Sequence, residues 1–380
     1  MMSDISPPDG NQNDPSLLIN SDDYGWGVSV GAVVCENCDW RFFHSYERIP
    51  KRCPYCFRST LSNLNQDEIS HLITKSPEQY IPFTVDQDIL NNNLLKFVKG
   101  IRFSPKDLSI QNLGSRLRRV YIPKWLVDTD VNAIWEAEVG YDYQVISHRE
   151  RYDQNSSGWK TQEITETRIR WESMVGRLDR TYHNIQSPGL EDAAEILQRI
   201  GNYDLSMVQD YKETVLSNTL IRLPNRSMED AWTAALPSFQ SAASSECKIA
   251  AEADHIRQFR WKPAYENHNW TLLLQPIYST YYLDDDGMPQ VVHMHGQTGR
   301  VNGARKASMK RALRTSMVIV IAATVLFMLS LIVALGSLVL QPLLLLGGAG
   351  FLLSILLVIM AAIPVGLVWQ FNRIENRKKF

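Results

Sequence analysis

From Met317 to Phe371 the chain carries no charged side chain. No other feature limits the fold as strongly. A bilayer core takes roughly 20 apolar residues per helical span, so about 55 residues fit two spans and a tight turn. Basic residues bracket the run: Arg305, Lys306, Lys310, Arg311 and Arg314 before it, and Arg373, Arg377, Lys378 and Lys379 after it. Basic flanks stay on the cytoplasmic side. The expectation is a two-span hairpin in the cytoplasmic (inner) membrane, with both termini cytoplasmic and the turn between Gly336 and Gly350. The Gly347-Gly348-Ala349-Gly350 cluster then serves close helix contact or the turn.

Charge is divided unevenly. Residues 305–380 hold nine Lys/Arg and one acid, Glu375, which leaves 30 Lys/Arg against 40 Asp/Glu in 1–304. A domain built to grip phosphates carries the opposite sign. The basic flanks instead suit anionic lipid headgroups, and membrane lipids are the first expected partner. The N-terminus has no basic n-region and no apolar h-region, so it does not read as a signal peptide. Residues 1–24 read as a polar disordered tail.

Four of the five cysteines form two Cys-x2-Cys pairs, Cys35/Cys38 and Cys53/Cys56. Each pair is a tight knuckle that aims two thiolates at one point, and two knuckles close a tetrahedral four-sulfur site for structural Zn2+. A reducing cytoplasm argues against disulfides. His44 lies between the knuckles, where four thiols leave it no ligand role. Cys247 stands apart and reads as a buried thiol. The ribbon, 25–60, interleaves Arg41, Arg48, Lys51, Arg52 and Arg58 with Trp40, Phe42, Phe43, Tyr46 and Tyr55. That pattern resembles a stacking platform for single strands. Glu36, Asp39 and Glu47 and the thiolates cancel its charge, so protein docking is preferred over nucleic acid.

Residues 61–304 read as an α+β cytoplasmic domain with an antiparallel sheet, or two smaller ones. A short helix is expected around Gln66–Thr74. Another is expected over Asp86–Lys99, capped by Asp86, with Ile89, Leu90, Leu94, Leu95, Phe97 and Val98 inward and Gly100 as its stop. Ser104-Pro105-Lys106-Asp107 reads as a further helix start. Val131, Ala133, Trp135, Ala137, Val139, Tyr141, Tyr143 and Val145 alternate with mostly polar residues, which predicts one strand face. After a turn at Asp153–Gly158, Thr161–Trp171 and Arg177–Ile185 continue an antiparallel meander. Helices follow at Leu190–Arg199, stopped by Gly201, and at 227–258, interrupted at Pro237. Strands Trp270–Tyr282 and Gln290–His295 flank a turn at Asp284–Gly287.

Three polar groups suggest chemistry, and each has a plainer reading. His293 and His295 sit at metal-pair spacing but lack a third ligand, and read as structural. Asp284–Asp286 lacks the spaced ligands of a calcium loop. Glu136 and Glu138 share a sheet face and read as solvated. No phosphate loop, dinucleotide fingerprint, nucleophile elbow or zinc-protease helix occurs, so no catalytic residue is assigned.

Four segments together resemble a bacterial and archaeal family of zinc-ribbon membrane proteins, labelled TFIIB-type zinc-ribbon or primosomal-protein-N′-like. They are the double Cys-x2-Cys; Tyr80–Val85 with its helix and Phe103–Asp107; Val120–Asp128; and Leu273–Tyr278 leading to Gly296–Val301. Where the family has Pro-Phe-Trp, this chain has Pro123-Lys124-Trp125. The helicase that the second label suggests has no nucleotide-binding loop here. The resemblance implies a membrane adaptor acting beside flotillin-like (SPFH-domain) scaffolds and phage-shock-type stress proteins. Two other functions stay open: a membrane-tethered nucleic-acid binder and an enzyme within 131–300.

Overall fold

The computed structural model describes residues 26, 30–45, 52–65, 76–153, 158–216, 219–336 and 343–377. The expected tail (1–24), the helix around Gln66–Thr74, most of the Asp153–Gly158 turn and residues 337–342 of the hairpin turn lie outside them, as do Tyr46, Glu47, Arg48, Lys51, Lys378 and Lys379.

The fold is mixed α and β. Strands β1 (Val30–Cys35), β2 (Arg41–Ser45), β3 (Leu61–Asn63) and β4 (Gln79–Tyr80) precede helices α1 (Gln87–Lys99) and α2 (Ile110–Ser115). Two long strands follow, β5 (Arg118–Asp153) and β6 (Gly158–Pro188), then α3 (Ala193–Ile200), β7 (Gln209–Asp210), β8 (Leu220–Arg222) and α4 (Met228–Ala250). The last strands are β9 (His255–Leu283), β10 (Pro289–His295) and β11 (Val301–Gly303), and the chain closes on α5 (Met309–Gly336), α6 (Leu343–Met360) and α7 (Ala362–Arg377). The strands form one sheet ordered β11-β10-β9-β5-β8-β2-β1-β3, with β6 on β5 and β4 on β7 and β9. Hairpins β1–β2, β5–β6 and β9–β10 are antiparallel, whereas β8 runs parallel to β5. The chain divides into two compact units: Met1–Ile122, Ala194–Leu223 and Leu274–Phe380; and Pro123–Ala193 with Pro224–Leu273.

In the first unit, α1 buries Leu90, Leu94 and Phe97, while Ile89 is exposed. Asp86 holds the N-cap position without a side-chain bond, and Gly100 ends the helix in right-handed geometry, so no glycine-specific conformation is used. Ser104–Asp107 is a turn and not a helix start. Its Asp107 accepts from Arg116, from the Leu283 amide (2.7 Å) and from Asn112 (3.0 Å), and Ser109 caps α2 instead. Tertiary partners for the carboxylate outweigh its local capping preference.

The second unit corrects four expectations. The meander is one hairpin, because β6 is continuous across the stretch read as a break. Gly176 faces Trp135 there, and a Cβ on it would lie 2.8 Å from the indole. Glycine thus makes room for the ring and keeps the ladder intact. Helix α4 is not interrupted at Pro237. Its buried stripe Ala231, Ala235, Phe239, Ala243 and Cys247 recurs every fourth residue, and Phe239 and its neighbours pack on Val131, Ala133 and Tyr182. That packing offsets the roughly 3 kcal/mol cost of an internal proline. The helix ends at Ala250, and residues 255–258 open β9. The alternation on β5 buries Val131 to Val139 but leaves Tyr143 exposed. The Asp254 amide bonds the Gly140 carbonyl where β9 begins, so the distal part of the hairpin runs on as two strands.

Helix α3 ends at Gly201, whose φ of +104° is one that side chains disfavour. At the C-terminus, Met309–Leu335 and Leu345–Glu375 are both long and apolar enough to cross a membrane. They pack closely: a Cβ on Gly347 would lie 2.9 Å from that of Ala334, and Phe351 meets Phe327 at 5.3 Å. The glycine cluster therefore serves helix contact.

Candidate metal centre

The two knuckles share one backbone design. In the first, the Asp39 amide donates to the Cys35 carbonyl at 2.9 Å; in the second, the Phe57 amide donates to the Cys53 carbonyl at 3.0 Å. Asp39 and Phe57, each four residues past its first cysteine, are left-handed (φ 55° and 52°). The cysteine amides donate onward, Cys35 to Trp40 and Cys53 to Ser59, both at 3.0 Å. These turns point all four sulfurs inward.

Cys35 Sγ lies 3.6 Å from Cys56 Sγ, and Cys38 Sγ lies 3.7 Å from Cys53 Sγ. All four ligand atoms fall within 4.8 Å of one another. A tetrahedron with Zn–S bonds of about 2.3 Å has edges of roughly 3.8 Å, whereas a disulfide requires about 2.05 Å. The spacing fits four thiolates around one tetrahedral cation, and all five cysteines are free. The residues present therefore suit structural zinc, which would fix the knuckles.

Burial pushes the Cys35 thiol up to about 11, and the neighbouring Cys53 sulfur, with burial, pushes Cys38 up. At Cys56, burial is outweighed by amide bonds from Arg58 and Ser59, which lower it. Thiols crowded in this way resist becoming four anions unless a divalent cation balances them.

The ribbon is woven into the first unit. Strand β1 pairs with β2 and β3, and β2 pairs with β8 through Phe42↔Arg222 and Phe43↔Ile221. Trp40, Phe42 and Phe43 are buried. Tyr55 stacks on Trp40 at 3.3 Å, and the buried Arg222 guanidinium sits 3.0 Å from the Trp40 ring centre. Phe57 stacks on Tyr281 at 4.5 Å. Arg222 and Tyr281 escaped the sequence reading because each lies more than a hundred residues from the knuckle it covers. A cavity of about 320 Å³ opens beside Cys56, lined by Tyr55, Arg58, Arg199, His293 and Asn302 among others.

The remaining polar groups have structural roles. Among the described residues the four cysteines are the one group spaced to hold a metal. His44 is buried with its ring over Gly31. His295 is buried with both ring nitrogens engaged: Nε2 with the Asn202 carbonyl at 3.1 Å, and Nδ1 accepting from the Gln297 amide at 3.1 Å. Burial holds it below the ordinary histidine range. Glu136 and Glu138 pair with Arg260 and Arg257. Cys247 is buried, and burial raises its thiol to about 11.

The Asp284–Gly287 turn anchors the apolar helices. Asp284 accepts the amides of Asp286 and Met288 at 2.9 Å and pairs with Lys306 at 2.6 Å. Asp285 accepts from the Ser308 hydroxyl (2.7 Å) and the Lys310 amide (2.8 Å), and Ser308 caps α5 through the Arg311 amide. Asn372 of α7 clamps the Ala307 peptide from both sides, at 2.8 and 3.1 Å. Ala307, Ala312 and Val368 join the core of Leu94, Phe97, Tyr278 and Met294. Compared with known proteins, the chain matches no family model, no curated protein and no solved structure.

Proposed function

We propose that this chain is a non-enzymatic membrane adaptor. Its α5–α7 segment spans the cytoplasmic membrane twice, with both termini and the sheet in the cytoplasm. Zinc held by Cys35, Cys38, Cys53 and Cys56 fixes a ribbon that docks protein partners at the bilayer. The observation that carries this reading is that the four-cysteine knuckles and the roots of both crossing-length helices belong to one unit. A partner bound at the ribbon is then held at the membrane surface, where its effective concentration rises. The cavity beside Cys56 offers a partner side chain a polar recess. The sequence resemblance to TFIIB-type zinc-ribbon membrane proteins nominates SPFH-domain scaffolds and phage-shock-type proteins as partners. Affinity capture from detergent extracts, with wild type beside Cys35→Ser/Cys38→Ser, tests the dock. Partners lost from the variant support it, and the same partners on both proteins would remove the ribbon from the role.

A second reading, nucleic-acid binding through the ribbon, rests on the exposed Arg52 and Arg58. The aromatics it needs weigh against it, since Trp40, Phe42 and Phe43 are buried. A salt-dependent shift of single-stranded DNA or RNA by the full chain would revive it, and no shift at low salt would end it.

A further inference from the structure

Strand β6 has a neighbour on one side only. It pairs with β5, and among the described residues no strand lies along its other edge. Its ladder to β5 keeps one register from Trp159 to Tyr182. Proteins normally blunt a free edge by shortening it or by placing proline, lysine or a bulge in it. This edge is 31 residues long, its one lysine, Lys160, is the third residue, its proline is the last, and its left-handed residue, Asn184, stands near that same end. Apolar side chains lie open along it, with Val175 70% and Ile169 40% exposed.

We infer that this edge is a self-association surface, where β6 of a second copy of this chain adds antiparallel about a two-fold axis at Ser173. When a strand pairs with itself, facing residues must share a sheet face, so only every second register is allowed. An axis at Ser173 overlaps the strand from end to end, Gly158 facing Pro188. It sets Glu166 opposite Arg180, Glu163 opposite His183, Thr165 opposite Thr181 and Trp171 opposite Val175, each twice, and brings no like charges face to face. Such opposite-charge and aromatic–β-branched pairs are what favours one strand pairing over another. Nearby axes are penalised. One at Glu172 sets that carboxylate on itself, one at Met174 sets Arg168 on Arg180, and one at Arg170 sets that guanidinium on itself. Within one chain Glu166 meets Arg168 at 3.4 Å and Arg180 meets Glu246 at 3.5 Å. Both are exposed pairs of little strength, free to share or exchange partners.

The test uses the full chain in membranes. Ser173→Cys, treated with a mild oxidant, should give a covalent dimer several-fold above Thr167→Cys, because Thr167 faces Asp179 across the axis. No dimer from Ser173→Cys, or equal yields from the two variants, would overturn the proposal. Arg180→Glu in the Ser173→Cys background should cut the yield several-fold, and adding Glu166→Arg should restore it. A double variant that stays uncoupled would overturn the axis at Ser173.

Discussion

The first unit has two ends built by opposite means. At the four-cysteine end, strands of three to six residues carry two knuckles whose sulfurs converge at the spacing of a tetrahedral cation site. At the helix-root end, ordinary packing and hydrogen bonds suffice: Leu94 and Phe97 meet Ala307, Ala312 and Val368, while Asp285, Ser308 and Asn372 cap and clamp the helices. On the proposed reading, the contrast teaches that one end is conditional on metal and the other is not. On that reading the ribbon should respond to chelators and oxidants, and the helix roots should not.

The largest expected effect breaks that contrast directly. Cys35→Ser/Cys38→Ser, or a strong chelator, should reduce bound zinc from one per chain to none and unfold the ribbon. The apparent binding energy at such sites is about 10–16 kcal/mol. Limited proteolysis should then cleave near residues 30–65 while α5–α7 stays protected, and metal analysis checks the stoichiometry. Equal protection with and without metal would erase the distinction between the two ends.

Next in size, Leu94→Ala should destabilise the helix-root end by about 2–5 kcal/mol, since it empties a fully buried site. Denaturant titration in detergent measures this, and zinc content should not change. Ser308→Ala removes the cap of α5 and should cost about 1 kcal/mol, again with zinc retained.

How much of this was legible in the sequence follows the range of the interactions. The cysteine pairs, the apolar run and the alternation from Val131 to Val139 are local patterns, and the structure carries each of them. The continuity of β6 was hidden because nothing local shows that Gly176 sits opposite Trp135, where glycine makes room for the ring. Pro237 misled for the same reason: the α4 stripe that overrides it depends on a sheet face contributed by other segments. Asp284 and Asp285 looked like a plain turn because their partners, Lys306 ahead of α5, Ser308 at its cap and Lys310 in its first turn, lie more than twenty residues later. Arg222 reaches Trp40 only through the β2·β8 pairing, which no local pattern announces.

The smallest expected effect is a pH slope. His295 is depressed in the folded chain, so the unfolded chain binds the extra proton first. Its contribution is complete above the unfolded value of about 6.5 and is lost as pH falls through the lower folded value. Stability measured from pH 7.5 downward should therefore decline with a proton-linked slope. His295→Gln should flatten that slope while lowering stability at neutral pH, since the bond to the Asn202 carbonyl is disturbed. Unchanged slopes would contradict a neutral, buried imidazole.

The most direct measurement is the sidedness of the chain in its native membrane. Single cysteines added at residue 2 and residue 380, each in a chain otherwise unchanged, would be challenged with a membrane-impermeant thiol reagent in intact cells and in inverted vesicles. The account predicts labelling of both positions in inverted vesicles and of neither in intact cells, with the protein resisting carbonate extraction. Labelling of either position from outside intact cells would contradict it.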